Sequence, residues 1–199
     1  MSVVRTNWPI YNDSCAKYAW TDGAFSKEEC QLIIDSYKPH CIKGGLIGTD
    51  NQKSLVYDDS IRESKVHWLF PNQDTEWIFR RIVDVVTSIN DRYYRFHLAA
   101  LSEGIQFSLY QSPSGHYDYH QDTVYTGLVR KLSVSIQLSD PDTYEGGDLE
   151  IKCAPDPDTC PRTQGSATVF PSYTLHRVTP VTSGERCSLV CWITGDSFK

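Results

Sequence analysis

The nine residues GHYDYHQDT, from Gly115 to Thr123, hold two histidines and two aspartates and contain the spacing His-x-Asp twice, as His116/Asp118 and as His120/Asp122. On a β-strand, residues i and i+2 face the same side, so an imidazole and a carboxylate at this spacing can share one metal ion. Such a pair supplies two of the three protein ligands of a 2-His-1-carboxylate triad, which leaves positions on iron(II) open for a cosubstrate and dioxygen. Strand parity does not choose between the pairs, because all four side chains would point the same way. A third ligand is required. His176 stands well downstream in FPSYTLHRVTP, at the start of a short strand candidate, and Arg186 and Ser188 follow it. On a strand, Arg186, Ser188, Val190 and Trp192 share one face, and an arginine with a serine on an otherwise apolar strand calls for a bound anion. His40, His67 and His97 read as ordinary surface or core histidines.

These residues need elements that bring the first pair to His176. From about residue 96 the pattern has period two. Ile105, Phe107 and Leu109 alternate with Gln106, Ser108 and Tyr110, and Leu132, Val134, Ile136 and Leu138 alternate with Lys131, Ser133, Ser135 and Gln137. This alternation predicts half-buried strands. Further strands are expected over 116–122, 148–152, 166–171, 176–180 and 186–193, separated by the turn clusters SPSG, DPDTYEGG, PDPDT and TSG. Strands at such spacing indicate a sandwich or barrel. Gly146-Gly147 fits a tight turn into a strand and carries no chemistry of its own.

Two earlier segments read as helices. In FSKEECQLIIDSYKP, Ser26 and Glu29 form a capping-box pattern ahead of Cys30, Ile33, Ile34 and Tyr37. In DTEWIFRRIVDVVTSIN, Asp74 or Thr75 can cap a stripe of Ile78, Ile82, Val85, Val86 and Ile89. The stretch 41–66 between them is polar and shows no clear period. Helices first and strands afterwards make the fold α+β, mainly β, with the helices buttressing one face of the β-structure.

The 199 residues suit a single domain, and 40% hydrophobic against 22% charged residues is the balance of a soluble globular protein. A net charge of -6 with no basic block argues against a nucleic-acid partner. No apolar run approaches bilayer length, and the opening MSVVRTNWPIY lacks the apolar core of a secretory signal, so no membrane association and a cytoplasmic location are expected. Seven cysteines (15, 30, 41, 153, 160, 187 and 191) without a C-x-x-C pair point to reduced thiols. Cys187 and Cys191 fall on one buried strand face. Cys153 and Cys160 bracket the loop APDPDT and are not expected to pair.

Together, His120-x-Asp122, His176, Arg186 ten residues later and Ser188 resemble the iron(II)- and 2-oxoglutarate-dependent oxygenases, specifically the prolyl-hydroxylase-like branch called PKHD-type hydroxylases. YQSPSGHYDYHQD, RKLSVSIQLSDPDTYEGGDLEI and GSATVFPSYTLHRVTPVTSGER carry the resemblance over about 105–195. It implies a double-stranded β-helix, a jelly-roll barrel over about 96–196, with helical support over about 1–95. It also implies His120, Asp122 and His176 as iron(II) ligands, and so selects the second His-x-Asp pair. Arg186 would pair with the distal carboxylate of 2-oxoglutarate, Tyr110 would reach the cosubstrate, and Ser188 fits the family's Arg-x-Ser pattern. After Tyr110 the loop departs from the commoner pattern, with Pro113 where many relatives carry glycine. The implied reaction consumes 2-oxoglutarate and dioxygen, releases succinate and carbon dioxide, and hydroxylates a C–H bond, with ascorbate in support. A prolyl residue of a protein or peptide leads as substrate. A free amino acid or small metabolite is the alternative, and a metal-binding jelly roll without turnover is a third reading against which Arg186 counts.

Overall fold

The side chains that alternate along the strands divide between a helix-packed face and a polar interior. The computed structural model describes residues 16–47, 55–123 and 129–197. The larger sheet has the order β1 (Ala19–Thr21), β7 (Ala167–Pro171), β5 (Val129–Gln137), β9 (Val181–Gly195), β3 (Ile105–Gln111), β2 (Lys65–Leu69) and the short strand Ile42–Lys43. The smaller sheet runs Asp158–Thr159, β6 (Leu149–Lys152), β8 (Leu175–Val178), β4 (His116–His120) and Arg62–Glu63. Every pairing in the two sheets is antiparallel. This is the arrangement of a double-stranded β-helix, mainly β with two helices.

Helix α1 (Lys27–Tyr37) begins with the expected capping box: Ser26 Oγ accepts from the Glu29 N–H, and the Ser26 N–H donates to Glu29 Oε2. Helix α2 (Glu76–Ile89) starts after Thr75, but neither Thr75 nor Asp74 caps it through its side chain. The Thr75 hydroxyl donates instead to the Phe70 carbonyl, and Asn72 Oδ1 takes the N–H groups of Asp74 and Thr75. Arg81 of α2 grips Glu29 of α1 with two N–H donors, at 3.0 and 3.1 Å, so the two helices are tied together. Their apolar stripes, including Cys30, Ile33, Ile78, Ile82 and Val86, form one core with Phe107, Leu109, Leu132, Val134, Ile136, Val169, Leu189 and Ile193 from the larger sheet. Each such aliphatic side chain contributes ~1.5–3 kcal/mol by leaving water.

The strands expected to be half-buried are buried on both faces. Ser133, Ser135 and Gln137 of β5 and Gln106, Ser108 and Tyr110 of β3 are as inaccessible as their apolar neighbours. The reason is the barrel: one face packs on the helices and the other lines the interior, so polarity here marks a lined chamber and not solvent. A second correction concerns the order of elements. Strands β1 and β2 and the pair Arg62–Glu63 precede residue 95 and join both sheets, so the N-terminal part is more than helical support. At two to five residues these strands are too short for a periodic signal.

Cys187 and Cys191 are buried on the helix-facing side. Cys153 is an exposed free thiol and Cys160 a buried one. Cys15 lies outside the described residues. No described helix is long and apolar enough to cross a membrane.

Candidate active site

His120, the last residue of β4, stands directly across from His176 of β8. Asp122 lies two residues past the end of β4, held by its N–H to the Ser172 carbonyl at 2.9 Å. One ligand atom from each of the three residues lies within 4.8 Å of the others. Asp122 Oδ1 is 3.7 Å from His120 Nε2, and Oδ2 is 3.4 Å from His176 Nε2. Both histidines use Nδ1 on a backbone carbonyl, His120 on Asp118 at 2.7 Å and His176 on Thr174 at 2.9 Å. A carbonyl can only accept, so each Nδ1 carries a proton, and each Nε2 is the atom turned to the centre. Burial and the neighbouring His176 push His120 down to about 4. For Asp122, burial opposes ionisation, but His176, His120 and the Ser133 hydroxyl outweigh it and hold the carboxyl below its usual range. A neutral imidazole at His120 beside an ionised Asp122 is the form that binds a cation.

The other pair, His116 and Asp118, is not in this cluster. The register between β4 and β8 shifts between His176/His120 and Val178/Tyr117, a bulge that sets two residues of β4 against one of β8. Parity is broken there. His116 turns its Nδ1 to the Ser114 carbonyl and its Nε2 to the Ser60 carbonyl, and Asp118 is exposed.

Arg186 of β9 is cross-strand from Tyr110 of β3, with its guanidinium carbon 5.8 Å from the tyrosine ring centroid. Arg186 is buried, and among the described residues no carboxylate pairs with it. Its Nε–H donates to Gln137 Oε1 at 3.1 Å, and Nη1 lies 3.5 Å from Ser188 Oγ. A buried guanidinium with only neutral partners is costly unless an anion completes it. Tyr110 packs with Val178, Val181 and Tyr117, the ring that stacks on His120. A small polar cavity against Arg186 is lined by Ser135, Gln137, Gly147, Leu149 and Thr168 among others. The donor set His120, Asp122 and His176 is thus of the kind that holds a divalent metal, and Arg186 of the kind that holds an anion.

Residues 105–194 match the family model described as the 2OG-Fe(II) oxygenase superfamily. The matched stretch is a little under half of the chain, and over it the chain is similar to that superfamily. A PKHD-type hydroxylase of Teredinibacter turnerae is 38% identical over 107 residues, which are 49% of this chain and 47% of that protein. A PKHD-type hydroxylase of a Shewanella species is 42% identical over 82 residues, 39% of this chain and 37% of that one. The match thus spans less than half the length of these curated relatives. Among solved structures, a Pseudomonas putida prolyl-4-hydroxylase superposes with a TM-score of 0.70 at 17% identity, covering 91% of this chain and 94% of its own. A Trichoplax adhaerens prolyl hydroxylase, solved in complex with a hypoxia inducible factor peptide fragment, gives 0.71 at 15% identity over 90% and 84%. At these identities the likeness speaks for the fold.

Around this cluster the structure adds residues that the sequence does not single out. The Ser133 hydroxyl donates to Asp122 Oδ2 at 2.7 Å. Tyr117 stacks on His120, and the Arg62 guanidinium stands over the Tyr117 ring. Gly147, at φ +65°, lies so close to Arg186 that a Cβ there would meet Arg186 Cδ at 3.1 Å and Val181 Cγ2 at 2.9 Å. The polar alternation of β5 was the available signal for Ser133 and Gln137. The approach of Arg62 has none, since it comes from the polar stretch 41–66.

Proposed function

We propose that the chain is an iron(II)- and 2-oxoglutarate-dependent hydroxylase acting on a prolyl residue of a protein or peptide. The observation that carries the reading is one barrel interior holding a buried His-Asp-His cluster and a buried arginine that lacks an anion. In this reading His120, Asp122 and His176 hold the metal, Arg186 takes the distal carboxylate of the cosubstrate with Ser188 beside it, and Tyr110 flanks the cosubstrate. When bound, metal and cosubstrate supply the oxidising power that places one oxygen atom of dioxygen on a C–H bond. The chain's own residues orient and exclude water. Asp118 and Thr174 fix the two imidazoles through their carbonyls, Ser133 fixes the carboxylate, and the helix-packed sheet closes the far side.

A peptide substrate is supported by the prolyl hydroxylase relatives, one of them seen with a peptide fragment. It is also supported by Trp68, which is partly exposed and packs 6.1 Å from Trp192 on the face that carries Arg186. Such an indole pair offers the apolar surface a pyrrolidine ring requires. Ascorbate as reductant and the cytoplasm as compartment accompany this reading.

The test is succinate release with iron(II), ascorbate and 2-oxoglutarate, with and without prolyl peptides, followed by mass spectrometry. Peptide-stimulated succinate and a one-oxygen gain on proline are expected. Stimulation by free amino acids alone would move the substrate to the small-metabolite class, and binding of metal without any succinate would leave a metal-binding module.

A further inference from the structure

We infer that Gln137 is a positioning residue that sets how Arg186 meets a carboxylate, and through it which dicarboxylate the pocket accepts. The inference rests on the reading of Arg186 as the distal anchor of the cosubstrate. Gln137 ends β5, is buried, and faces the barrel interior. Its Oε1 accepts from Arg186 Nε at 3.1 Å, while its Nε2 donates to the Ser139 carbonyl at 3.0 Å and to the Tyr144 hydroxyl at 2.9 Å. The Ser139 carbonyl can only accept, which fixes the amide: the NH2 must face Ser139 and the oxygen must face the guanidinium. A flipped amide would set N–H against N–H.

Two consequences follow for the anion. Because Gln137 occupies the Nε–H and Ser188 takes only one long contact from Nη1, the planar fork keeps N–H donors on both Nη groups for the ligand, so a carboxylate is met end-on and not along the Nε edge. The stem of Arg186 runs past Gly147, the one residue type that leaves it space, since a Cβ there would meet Arg186 Cδ at 3.1 Å. Tyr144 is held in its turn by Arg162, whose guanidinium carbon lies 4.4 Å from the ring centroid. An end-on fork held in place through Gln137 suits one ligand length. The neutrality of Gln137 matters as much as its shape, because a carboxylate at this position would itself complete Arg186 and displace the anion.

The experiment uses metal-loaded protein without dioxygen and titrates 2-oxoglutarate, oxaloacetate and 2-oxoadipate, the five-, four- and six-carbon members of one series, together with metal content. Gln137→Glu should weaken all three by about 100-fold at unchanged metal content, as expected for a new internal counter-ion. Gln137→Met should weaken 2-oxoglutarate by about 10-fold and narrow its advantage over the other two acids, by loss of one hydrogen bond to a charged group. Tyr144→Phe leaves Gln137 in place but frees its amide, and should narrow the same ratio to a smaller extent. If the parent discriminates among the acids while Gln137→Met and Tyr144→Phe keep its ratio, the role of Gln137 is overturned and the cosubstrate reading stands. A parent that binds none of the three defeats that reading and this inference with it.

Discussion

Tyr117 and His120 lie face to face, their ring centroids 3.6 Å apart and their planes 14° from parallel, although they are three residues apart on one strand. A regular strand would send them to opposite sides. The bulge between them turns both into the barrel, and the guanidinium of Arg62 lies over Tyr117, 4.7 Å from its ring centroid. His120 is thus held at Nδ1 by a carbonyl and across its face by an aromatic ring. Loss of such support around a metal ligand typically lowers metal affinity 10–100-fold. Tyr117→Ala should therefore raise the dissociation constant for iron(II) or manganese(II) by about 10-fold, whereas Tyr117→Phe keeps the ring and the parent's affinity. Metal titration checks both, and parent-like binding by the alanine variant would remove the role given to the stack.

The bulge also separates the two His-x-Asp pairs. His120→Ala and Asp122→Ala are each expected to abolish bound iron and iron-dependent succinate production. His116→Ala and Asp118→Ala should keep both, since His116 is tied to Ser114 and Ser60 and Asp118 is exposed. Metal analysis of the four purified variants decides the matter. Loss of metal in His116→Ala with retention in His120→Ala would reverse the assignment.

Arg186→Lys should bind 2-oxoglutarate at least about 10-fold more weakly at unchanged metal content, because an ammonium offers a point charge where the guanidinium offers a planar fork. The remaining buried cation would also lose its contact with Gln137. Cosubstrate titration of metal-loaded protein is the measurement, and equal dissociation constants would remove Arg186 from the site.

Metal-free protein should lose stability as the pH falls from about 6.5 towards 4. His120 is pushed down from 6.5 to about 4 by burial and by His176. Within that window the unfolded chain binds the proton that the folded chain refuses, so the unfolding free energy rises with pH there and, for this group, is level above it. A shift of this size corresponds to about 3 kcal/mol between the two ends of the window. Urea unfolding at several pH values should show a steeper dependence for the parent than for His120→Gln. Equal slopes would falsify the assignment of this proton to His120.

Much of the site was readable because its residue types are costly to bury without a reason. A histidine, an aspartate and an arginine on strands otherwise made of valine, leucine and isoleucine stand out, and period-two alternation located β3 and β5 within a residue or two. What alternation could not say is which face meets water. Ser133, Ser135 and Gln137 looked like a solvent face and are the lining of the chamber. Nor does local sequence announce a bulge, so Tyr117 was invisible beside its neighbours. Asn72 was overlooked for a related reason: Thr75 has the right type for a cap, but its hydroxyl is spent on the Phe70 carbonyl.

Strand β9 occupies the middle of the larger sheet, between β5 and β3, and it carries Arg186. During synthesis, β5 and β3 each present an open edge to other chains until residues 181–195 have emerged, which is the condition under which strands pair wrongly or call for chaperones. A nascent chain halted before residue 181 would already contain His120, Asp122 and His176 but not the wall that excludes water from them. If those three residues hold a metal as proposed, an ion met at that stage would be held loosely and in contact with solvent, so loading would follow the insertion of the central strand, which then governs both the assembly of the barrel and the proposed chemistry.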